Sequence, residues 1–229
     1  MIKEFLLENI LPNPYQTREG VDEEHIRSLA DSIASQGLLQ IPSARYGDAF
    51  HHPGTVELAF RHNRLAAFKY LRDAGVSGFS SMPLNIVEMS DEEMFQAAVA
   101  ENRARKDLTP IEEARAMLMY RDQFKKNSEE IGVLFNLSDS AVRNKLRLLD
   151  LPDEIKELVG KTLTESGARE VLAFQALPNE AKAEKTWHNG EQRTYEAMLK
   201  EMLADGVDAG ELKDLVDSAV VISVTGMKR

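Results

Sequence analysis

The N-terminal part of the chain combines two hydrophobic periods. Apolar residues recur at helical spacing as far as Gln36, and Gly37 is placed to end that helix in a left-handed turn. Helices are predicted at 22–36, 64–74 and 91–103, and short apolar runs bounded by turn residues predict strands at 2–10, 38–46, 55–60 and 82–88. This mixture of strands and helices predicts an α+β domain over residues 1–106.

Beyond this domain the pattern is mostly helical. Thr109 followed by Pro110 fits an N-cap and a first-turn proline. Helices are predicted at 110–125, 128–135, 139–148, 152–159, 166–175, 178–187, 194–205 and 208–220, with a polar break at 188–193 and a strand or frayed end at 221–229. We therefore expect an all-α domain over 107–189 and a C-terminal helical segment over 190–229.

The C-terminal segment has a stripe of apolar residues at helical spacing. The stripe consists of Tyr195, Met198, Leu199, Met202 and Leu203. Such a stripe is compatible with a helix that pairs with a partner, but packing on the chain's own helical core is the favoured interpretation.

Composition narrows the class of protein. Hydrophobic residues make up 43% and charged residues 29%, values typical of a globular protein with packed cores. The chain has no cysteine, which excludes disulfides, zinc ribbons and thiol nucleophiles. The N-terminus lacks a basic region followed by a long apolar run, and no stretch approaches ~18 uninterrupted apolar residues. We therefore expect a cytoplasmic protein without a signal peptide or a membrane span.

Charge is distributed unevenly along the chain. The net charge is −10, which argues against a protein that coats nucleic acid non-specifically. Residues 121–147 nevertheless contain six basic and four acidic residues, so this segment carries +2 and the remainder carries −12. Because DNA binding needs local rather than total positive charge, the segment is a candidate for DNA contact.

Residues 128–147 have the pattern of a helix-turn-helix. Asn136 and Leu137 form the expected turn, because Asn tolerates a left-handed backbone. The second helix is expected to begin at the capping residue Ser138 and to present to double-stranded DNA the residues Ser140, Arg143, Asn144 and Arg147, while Lys125, Lys126 and Lys145 contact phosphates. The alternative is an ordinary helical hairpin whose basic residues form a solvated face.

Five separate stretches resemble the ParB-like partition protein family. They are ILPNPYQTR at 10–18, GLLQIP at 37–42, AENRARKDLTPIEEA at 100–114, LRLLDLPDEI at 146–155 and LTESGAR at 163–169. The order of these stretches and the spacing between them also match the family. The resemblance implies a ParB/sulfiredoxin-like α+β N-terminal domain followed by an all-α helix-turn-helix domain.

The resemblance also implies a function. Members of this family bind CTP and Mg²⁺ in the N-terminal domain, close a homodimeric clamp over DNA and hydrolyse CTP slowly; a partition ATPase is a further expected partner. By resemblance, the pocket is lined by Gly37, Gln40 and Pro42, Glu101 and Asn102 lie at the metal and triphosphate, Arg105 pairs with phosphate, and Gln40 and Glu101 are the candidates for hydrolysis. A carboxylate and an amide oxygen suit Mg²⁺, and an Arg fork suits phosphate.

The chain departs from the family pattern at a phosphate-binding turn. Arg61 replaces a glycine there and Asn63 replaces an arginine, whereas His62 and Arg64 match the pattern. A glycine in such a turn allows a positive φ and close approach of the backbone to phosphate. The Arg61 side chain either crowds this position or supplies a phosphate fork itself.

Three questions stay open at the level of sequence. The altered turn is compatible with a site-specific transcription regulator that no longer binds nucleotide. A nuclease is a second alternative, although it needs a cluster of carboxylates and the sequence offers only Glu101 beside Asn102. Residues 190–229 do not show the family's dimerisation domain, which fits either a fragment or a shorter phage or mobile-element homologue, so plasmid, phage and chromosome partition all remain open.

Overall fold

The computed structural model describes residues 1–16, 23–47, 54–104, 108–188, 191–206 and 208–226. The chain forms two compact units, Met1–Leu108 and Thr109–Arg229. No helix in the described part is long and apolar enough to cross a membrane.

The first unit is a five-stranded sheet with helices. Its elements are β1 (Ile2–Leu6), a 3-10 turn (Leu7–Asn9), β2 (Ile10–Leu11), α1 (Glu23–Gln36), β3 (Ser43–Tyr46), β4 (Val56–Leu58), α2 (His62–Asp73), β5 (Ser81–Ile86) and α3 (Asp91–Ala104). The sheet order is β1-β5-β3-β4-β2. β1 pairs with β5 and β3 with β4 in antiparallel fashion, while β3–β5 and β2–β4 are parallel.

The core of the first unit lies between the sheet and the first two helices. Ala44, Val56 and Leu84 are fully buried on the sheet, and Ala30 and Phe68 from α1 and α2 belong to the same apolar cluster. Gly37 ends α1 with a φ of 76°, and its amide donates to the carbonyl of Ile33, as the pattern predicts.

The second unit is mainly helical. Its elements are α4 (Pro110–Phe124), α5 (Ser128–Phe135), α6 (Asp139–Arg147), a 3-10 turn (Leu148–Asp150), α7 (Asp153–Lys156), α8 (Glu165–Gln175), α9 (Asn179–Ala183), β6 (Lys185–His188), β7 (Glu191–Thr194), α10 (Tyr195–Asp205) and α11 (Ala209–Gly226). Capping boxes begin α4 at Thr109 and α5 at Asn127. The predicted fold class, an α+β unit followed by a helical helix-turn-helix unit, is confirmed.

The apolar stripe of the C-terminal segment packs within the second unit. Tyr195, Met198 and Leu199 are buried in one cluster with residues of α8 and α11, and Met202 and Leu203 pack against that cluster. These five residues therefore contribute to the core of the unit itself.

Two predicted elements near the C-terminus are wrong. The helix expected at 178–187 ends at Ala183, and the polar break is a hairpin in which β6 pairs with β7, from Lys185 opposite Thr194 to His188 opposite Glu191. A strand or frayed end was expected at 221–229, but α11 extends as far as Gly226. Its Val and Ile residues favour strands only weakly, and packing of the preceding turns outweighs that preference.

Candidate nucleotide pocket and DNA-binding surface

The turn that precedes α2 keeps a left-handed backbone without a glycine. Arg61 is the N-cap of α2 with φ 69° and ψ 41°, a conformation that costs a non-glycine residue about 1 kcal/mol or more. The Arg61 backbone amide donates a hydrogen bond of 2.9 Å to Oε1 of Glu101. The turn therefore has the geometry that a glycine would give it, and Glu101 on α3 helps to hold it.

Two guanidinium groups meet at the side chain of Gln40. Oε1 of this exposed glutamine accepts hydrogen bonds from Arg61 and from Nη2 of Arg64, the latter over 2.8 Å. The Arg61 guanidinium also lies 5.6 Å from the centre of the Phe60 ring. The two arginines thus converge on a single acceptor, and an anion offering several oxygens would satisfy more of their donors than one amide does.

His62 lies between the segment that follows β2 and the carboxylate of Glu101. Its Nε2 accepts a hydrogen bond of 3.0 Å from the backbone amide of Asn13. Because a backbone amide can only donate, the neutral ring carries its hydrogen on Nδ1. Nδ1, with its hydrogen, faces the carboxylate of Glu101, whose Oε2 lies 3.7 Å away. His62 therefore links the segment after β2 to α3.

Asn13 is a site residue to which sequence reasoning assigned no role. Only 2% of it is exposed, and its side-chain amide donates to the carbonyls of Ala59 (2.7 Å) and Met94 (3.0 Å). Its Oδ1 accepts from the amide of Tyr15 over 2.9 Å. The available signal was an asparagine in the NP pair that follows a short apolar strand.

The remaining predicted pocket residues lie in different surroundings. Asn102 is 4% exposed, and its amide donates to Oε1 of Gln16 over 3.1 Å. Gly37 is exposed at the end of α1, and Asn63 is partly buried in the first turn of α2. Pro42 is buried, and its carbonyl accepts from the amide of Asn85 in the sheet. The other predicted residue, Arg105, lies outside the described residues.

The residues present fit a magnesium ion only in part. Among the described residues, no group of three or more His, Asp or Glu side chains has the arrangement of a metal site. Glu101 already accepts through Oε1, and the buried Asn102 amide faces Gln16. Mg²⁺ binds through few carboxylates together with water and phosphate oxygens, so Glu101 is the protein group suited to hold it.

A separate cavity of about 570 Å³ lies elsewhere in the first unit. Its lining includes Lys3, Arg45, Tyr46 and Glu57. The Arg45 guanidinium donates to the carboxylates of Glu57 and Asp91 and to a backbone carbonyl, so its donors are directed to the protein itself. This cavity shares no residue with the cluster around Gln40.

The helix-turn-helix predicted from the sequence is present. Asn136 forms the turn between α5 and α6 with φ 52°, and Ser138 caps α6 by accepting from the amide of Ala141. Gly132 of α5 lies against the turn: a Cβ built on it would be 2.5 Å from the carbonyl oxygen of Leu137. The close approach of helix and turn therefore requires glycine at this position.

The outward face of α6 is polar and accessible. Ser140 and Arg147 are exposed, Asn144 is partly buried, and 61% of the Arg143 side chain is exposed. Arg143 forms an ion pair of 2.5 Å with Asp139 one turn earlier, whereas Arg147 makes no ion pair with any residue that the structure describes. Both guanidinium groups are open to solvent.

The three lysines expected at phosphates differ from one another. Lys125 is exposed, and its ammonium donates to the carbonyl of Asp122. Lys126 is 21% exposed, lies 3.9 Å from Glu130 and sits 5.8 Å from the centre of the Tyr120 ring. Lys125 remains the most accessible of the three.

Lys145, the third lysine expected at a phosphate, is held between two carboxylates. Its side chain is only 12% exposed, and Nζ lies 2.6 Å from Oε2 of Glu113 and 2.9 Å from Oε2 of Glu165. Burial alone would lower the pKa of Lys145, but hydrogen bonds and charge attraction from the two carboxylates outweigh it, and the pKa is raised. The ammonium is thus directed into the protein, because two carboxylates neutralise it there.

Known protein families match both units. The ParB N-terminal domain matches residues 1–103, and the ParB helix-turn-helix domain matches residues 106–206. A probable chromosome-partitioning protein ParB of Neisseria meningitidis is 31% identical over 221 residues, which cover 92% of this chain and 74% of that protein. The chain belongs to the ParB family. The family resemblance carried by the five sequence stretches is therefore confirmed.

Other ParB-family proteins are similar over much of the chain. A nucleoid occlusion protein of Listeria monocytogenes is 30% identical over 208 residues, covering 88% of this chain and 68% of that protein. The C-terminally truncated ParB of Caulobacter crescentus complexed with the centromeric parS site shares the fold, with a TM-score of 0.59, 24% identity and coverage of 94% of this chain and 99% of that one. A structure of that ParB with CTP-γ-S has a TM-score of 0.39 and 29% identity, covering 76% of this chain and 92% of that one.

Proposed function

We propose that this ParB-family chain binds double-stranded DNA through α6 and acts in chromosome partition or in the regulation of genes near its site. The observation that carries the proposal is the accessible face of a capped recognition helix, with Arg143 and Arg147 open to solvent. In a helix-turn-helix, residues of this face reach base edges and phosphates in the major groove. The relative in Neisseria meningitidis, named as a partitioning protein, supports partition as the setting.

A salt titration tests the DNA proposal. The duplex that the parent chain enriches from a random-sequence pool serves as the probe. Arg147→Gln removes an accessible cation from α6, so we expect weaker binding and a salt slope of log K that is smaller by about 0.9 if Arg147 contacts a phosphate. Lys213→Gln removes the same charge from exposed α11 and should leave the slope unchanged. Equal slopes for the parent and both variants would contradict phosphate contact by Arg147.

The cluster around Gln40 supports a further proposal, that the first unit binds CTP with Mg²⁺. Arg61 and Arg64 would pair with phosphate oxygens in place of the Gln40 amide. The family resemblance adds Gly37 and Pro42 to the pocket lining. Glu101 would hold the ion, and a bound nucleotide would supply the phosphates that complete its coordination. Slow hydrolysis involving Gln40 and Glu101, self-association and docking to a partition ATPase belong to the same proposal through family resemblance.

Calorimetric titration with the four ribonucleoside triphosphates, with and without Mg²⁺, tests the nucleotide proposal. CTP is expected to bind in the presence of Mg²⁺, and Arg64→Ala is expected to weaken it at least tenfold because a charged phosphate contact is lost. Arg72→Ala, which removes an exposed guanidinium from the other end of α2, is the matched control. A chain that binds no CTP at millimolar concentration would exclude the gating function.

One observation favours a second candidate, a DNA-binding regulator without nucleotide. The Arg61 side chain occupies the turn where the family pattern has glycine, and it is already bonded to Gln40. In that case the double substitution Arg61→Gly with Asn63→Arg should create CTP affinity that the parent lacks. The nuclease alternative has less support, because the described residues offer no carboxylate cluster.

A further inference from the structure

We infer that Lys145 is a positioning residue for site-specific DNA binding: by bridging Glu113 and Glu165 it fixes the orientation of α6 without contacting DNA. The inference rests on the proposed DNA-binding function. Lys145, the most buried of the three lysines expected at phosphates, instead holds the helix that carries the DNA-facing residues.

The geometry places Lys145 between three helices. Its own helix is α6, Glu113 lies in the first turn of α4, and Glu165 is the first residue of α8. The distances of 2.6 and 2.9 Å are those of direct charge-assisted hydrogen bonds. Both carboxylates also lie at helix N-termini, where the helix dipole favours negative charge. The bridge therefore connects α6 to two neighbouring helices at one point.

The recognition helix packs on α4 and α5, and Lys145 adds a polar contact to this packing. α6 has nine residues, and Val142 is its one buried side chain among these. Lys145 follows Val142 by three positions and thus lies on the same side of the helix. Apolar packing tolerates small rotations of a short helix, whereas a directional contact such as the Lys145 bridge fixes its orientation more narrowly. That orientation determines where Arg143 and Arg147 point.

The charges of the cluster separate a positioning role from a phosphate contact. One ammonium faces two carboxylates, so the cluster has a net negative charge. Replacing either carboxylate by an amide makes the surface less acidic, and a purely electrostatic effect would therefore strengthen binding to DNA. A positioning role predicts the opposite, because Glu113→Gln weakens the bridge that holds α6. The sign of the change distinguishes the two roles.

The experiment compares the duplex enriched by the parent chain with a scrambled duplex of equal length, across a series of salt concentrations. For Lys145→Gln we expect affinity for the enriched duplex to fall about tenfold or more, the scale of one lost base contact. Affinity for the scrambled duplex should fall less than affinity for the enriched duplex, and the salt slope should stay at the parent value because no phosphate contact is lost. Lys145→Arg, which retains a cation between the carboxylates, should restore most of the discrimination.

Arg147→Gln is the matched charge control, since it removes a cation from the exposed face of the same helix and should lower the salt slope. Circular dichroism at the binding temperature establishes that each variant is folded; if Lys145→Gln is not, Glu113→Gln provides the test, with weaker specific binding expected. A lower salt slope for Lys145→Gln, or tighter specific binding by Glu113→Gln, would overturn the inference while leaving the proposed function intact. A parent chain that binds no duplex would overturn both.

Discussion

At the scale of single residues, Gly132 shows how closely the turn of the DNA-binding motif approaches the helix before it. A Cβ at this position would lie 2.5 Å from the carbonyl oxygen of Leu137, which is backbone and cannot rotate away. The amide of Leu137 also donates to the carbonyl of Gly132 over 2.8 Å, so the turn is bonded to the helix that it would have to leave.

Gly132→Ala is therefore expected to destabilise the second unit by about 1–3 kcal/mol, even though alanine is the better helix former by about 1 kcal/mol. Denaturant unfolding followed through Trp187, the single tryptophan, measures the effect in the second unit. Val133→Ala changes the next residue, whose side chain is 84% exposed, and should alter stability by less than about 0.5 kcal/mol. An unchanged unfolding midpoint for Gly132→Ala would show that the turn yields easily.

In the first unit, Asn13 is the residue whose substitution should have the largest effect on stability among those described above. Its side chain donates to two buried carbonyls and accepts from one partly buried amide. Asn13→Ala should cost about 3 kcal/mol, because unsatisfied buried polar groups are expensive. Amide hydrogen exchange around Ala59 and Met94 measures this loss of stability. Asn85→Ala is the control, because the Asn85 side chain accepts from the exposed N-terminal amine. Unchanged protection in Asn13→Ala would mean that water replaces the amide at no cost.

These residues show what the sequence could and could not predict. The turn at Asn136 and the cap at Ser138 follow from local chemistry, and both were predicted. The contacts of Asn13 and Lys145 could not be predicted, because their partners are distant in sequence. Asn13 contacts Met94, and Lys145 contacts Glu113. A lysine beside a recognition helix looks like a phosphate contact until the carboxylates opposite it are known.

At the scale of elements, helices with strong periodicity and caps were predicted almost to the residue, α5 among them. The β6–β7 hairpin was missed because its strands are short and polar, although the Asn-Gly pair at 189–190 is a known hairpin signal. The predicted end of α11 came too early, because the Val and Ile residues that follow it are typical of a strand. Local preference was outweighed in both places by pairing or packing that the sequence pattern does not display.

The bridge between α4, α6 and α8 makes a prediction about pH. The pKa of Lys145 is raised above its ordinary value of 10.5, so its stabilising effect is fully present below pH 10.5 and is lost as pH rises through the raised pKa. Lys145→Gln should destabilise the second unit by about 1–3 kcal/mol at pH 7 to 9. The difference from the parent should shrink above about pH 10.5.

Trp187 fluorescence in denaturant measures that difference at each pH, and the groups that titrate in both proteins cancel from it. Lys213→Gln, which changes an exposed lysine of α11, should show little difference at any pH. A difference between parent and Lys145→Gln that stayed constant or grew through the alkaline range would contradict the bridge.

At the scale of the whole molecule, the proposal joins a nucleotide pocket in one unit to a DNA-binding helix in the other. If nucleotide changes DNA affinity by some factor, DNA must change nucleotide affinity by the same factor, since the coupling free energy is shared. Coupling of this kind typically amounts to about 5–150-fold. Whether one ligand strengthens or weakens binding of the other depends on which state of the molecule each ligand prefers. The two factors are equal in both cases.

We therefore expect CTP affinity measured with and without the enriched duplex to change by the same factor as duplex affinity measured with and without CTP. Arg64→Ala should raise at least tenfold the CTP concentration needed to change DNA binding, and it should leave nucleotide-free DNA affinity at the parent value, because Arg64 belongs to the first unit and donates to Gln40. Arg147→Gln should weaken DNA binding and leave CTP affinity without DNA unchanged. Tight binding of both ligands with no mutual effect would separate the two functions, because a pocket that does not sense DNA cannot control it.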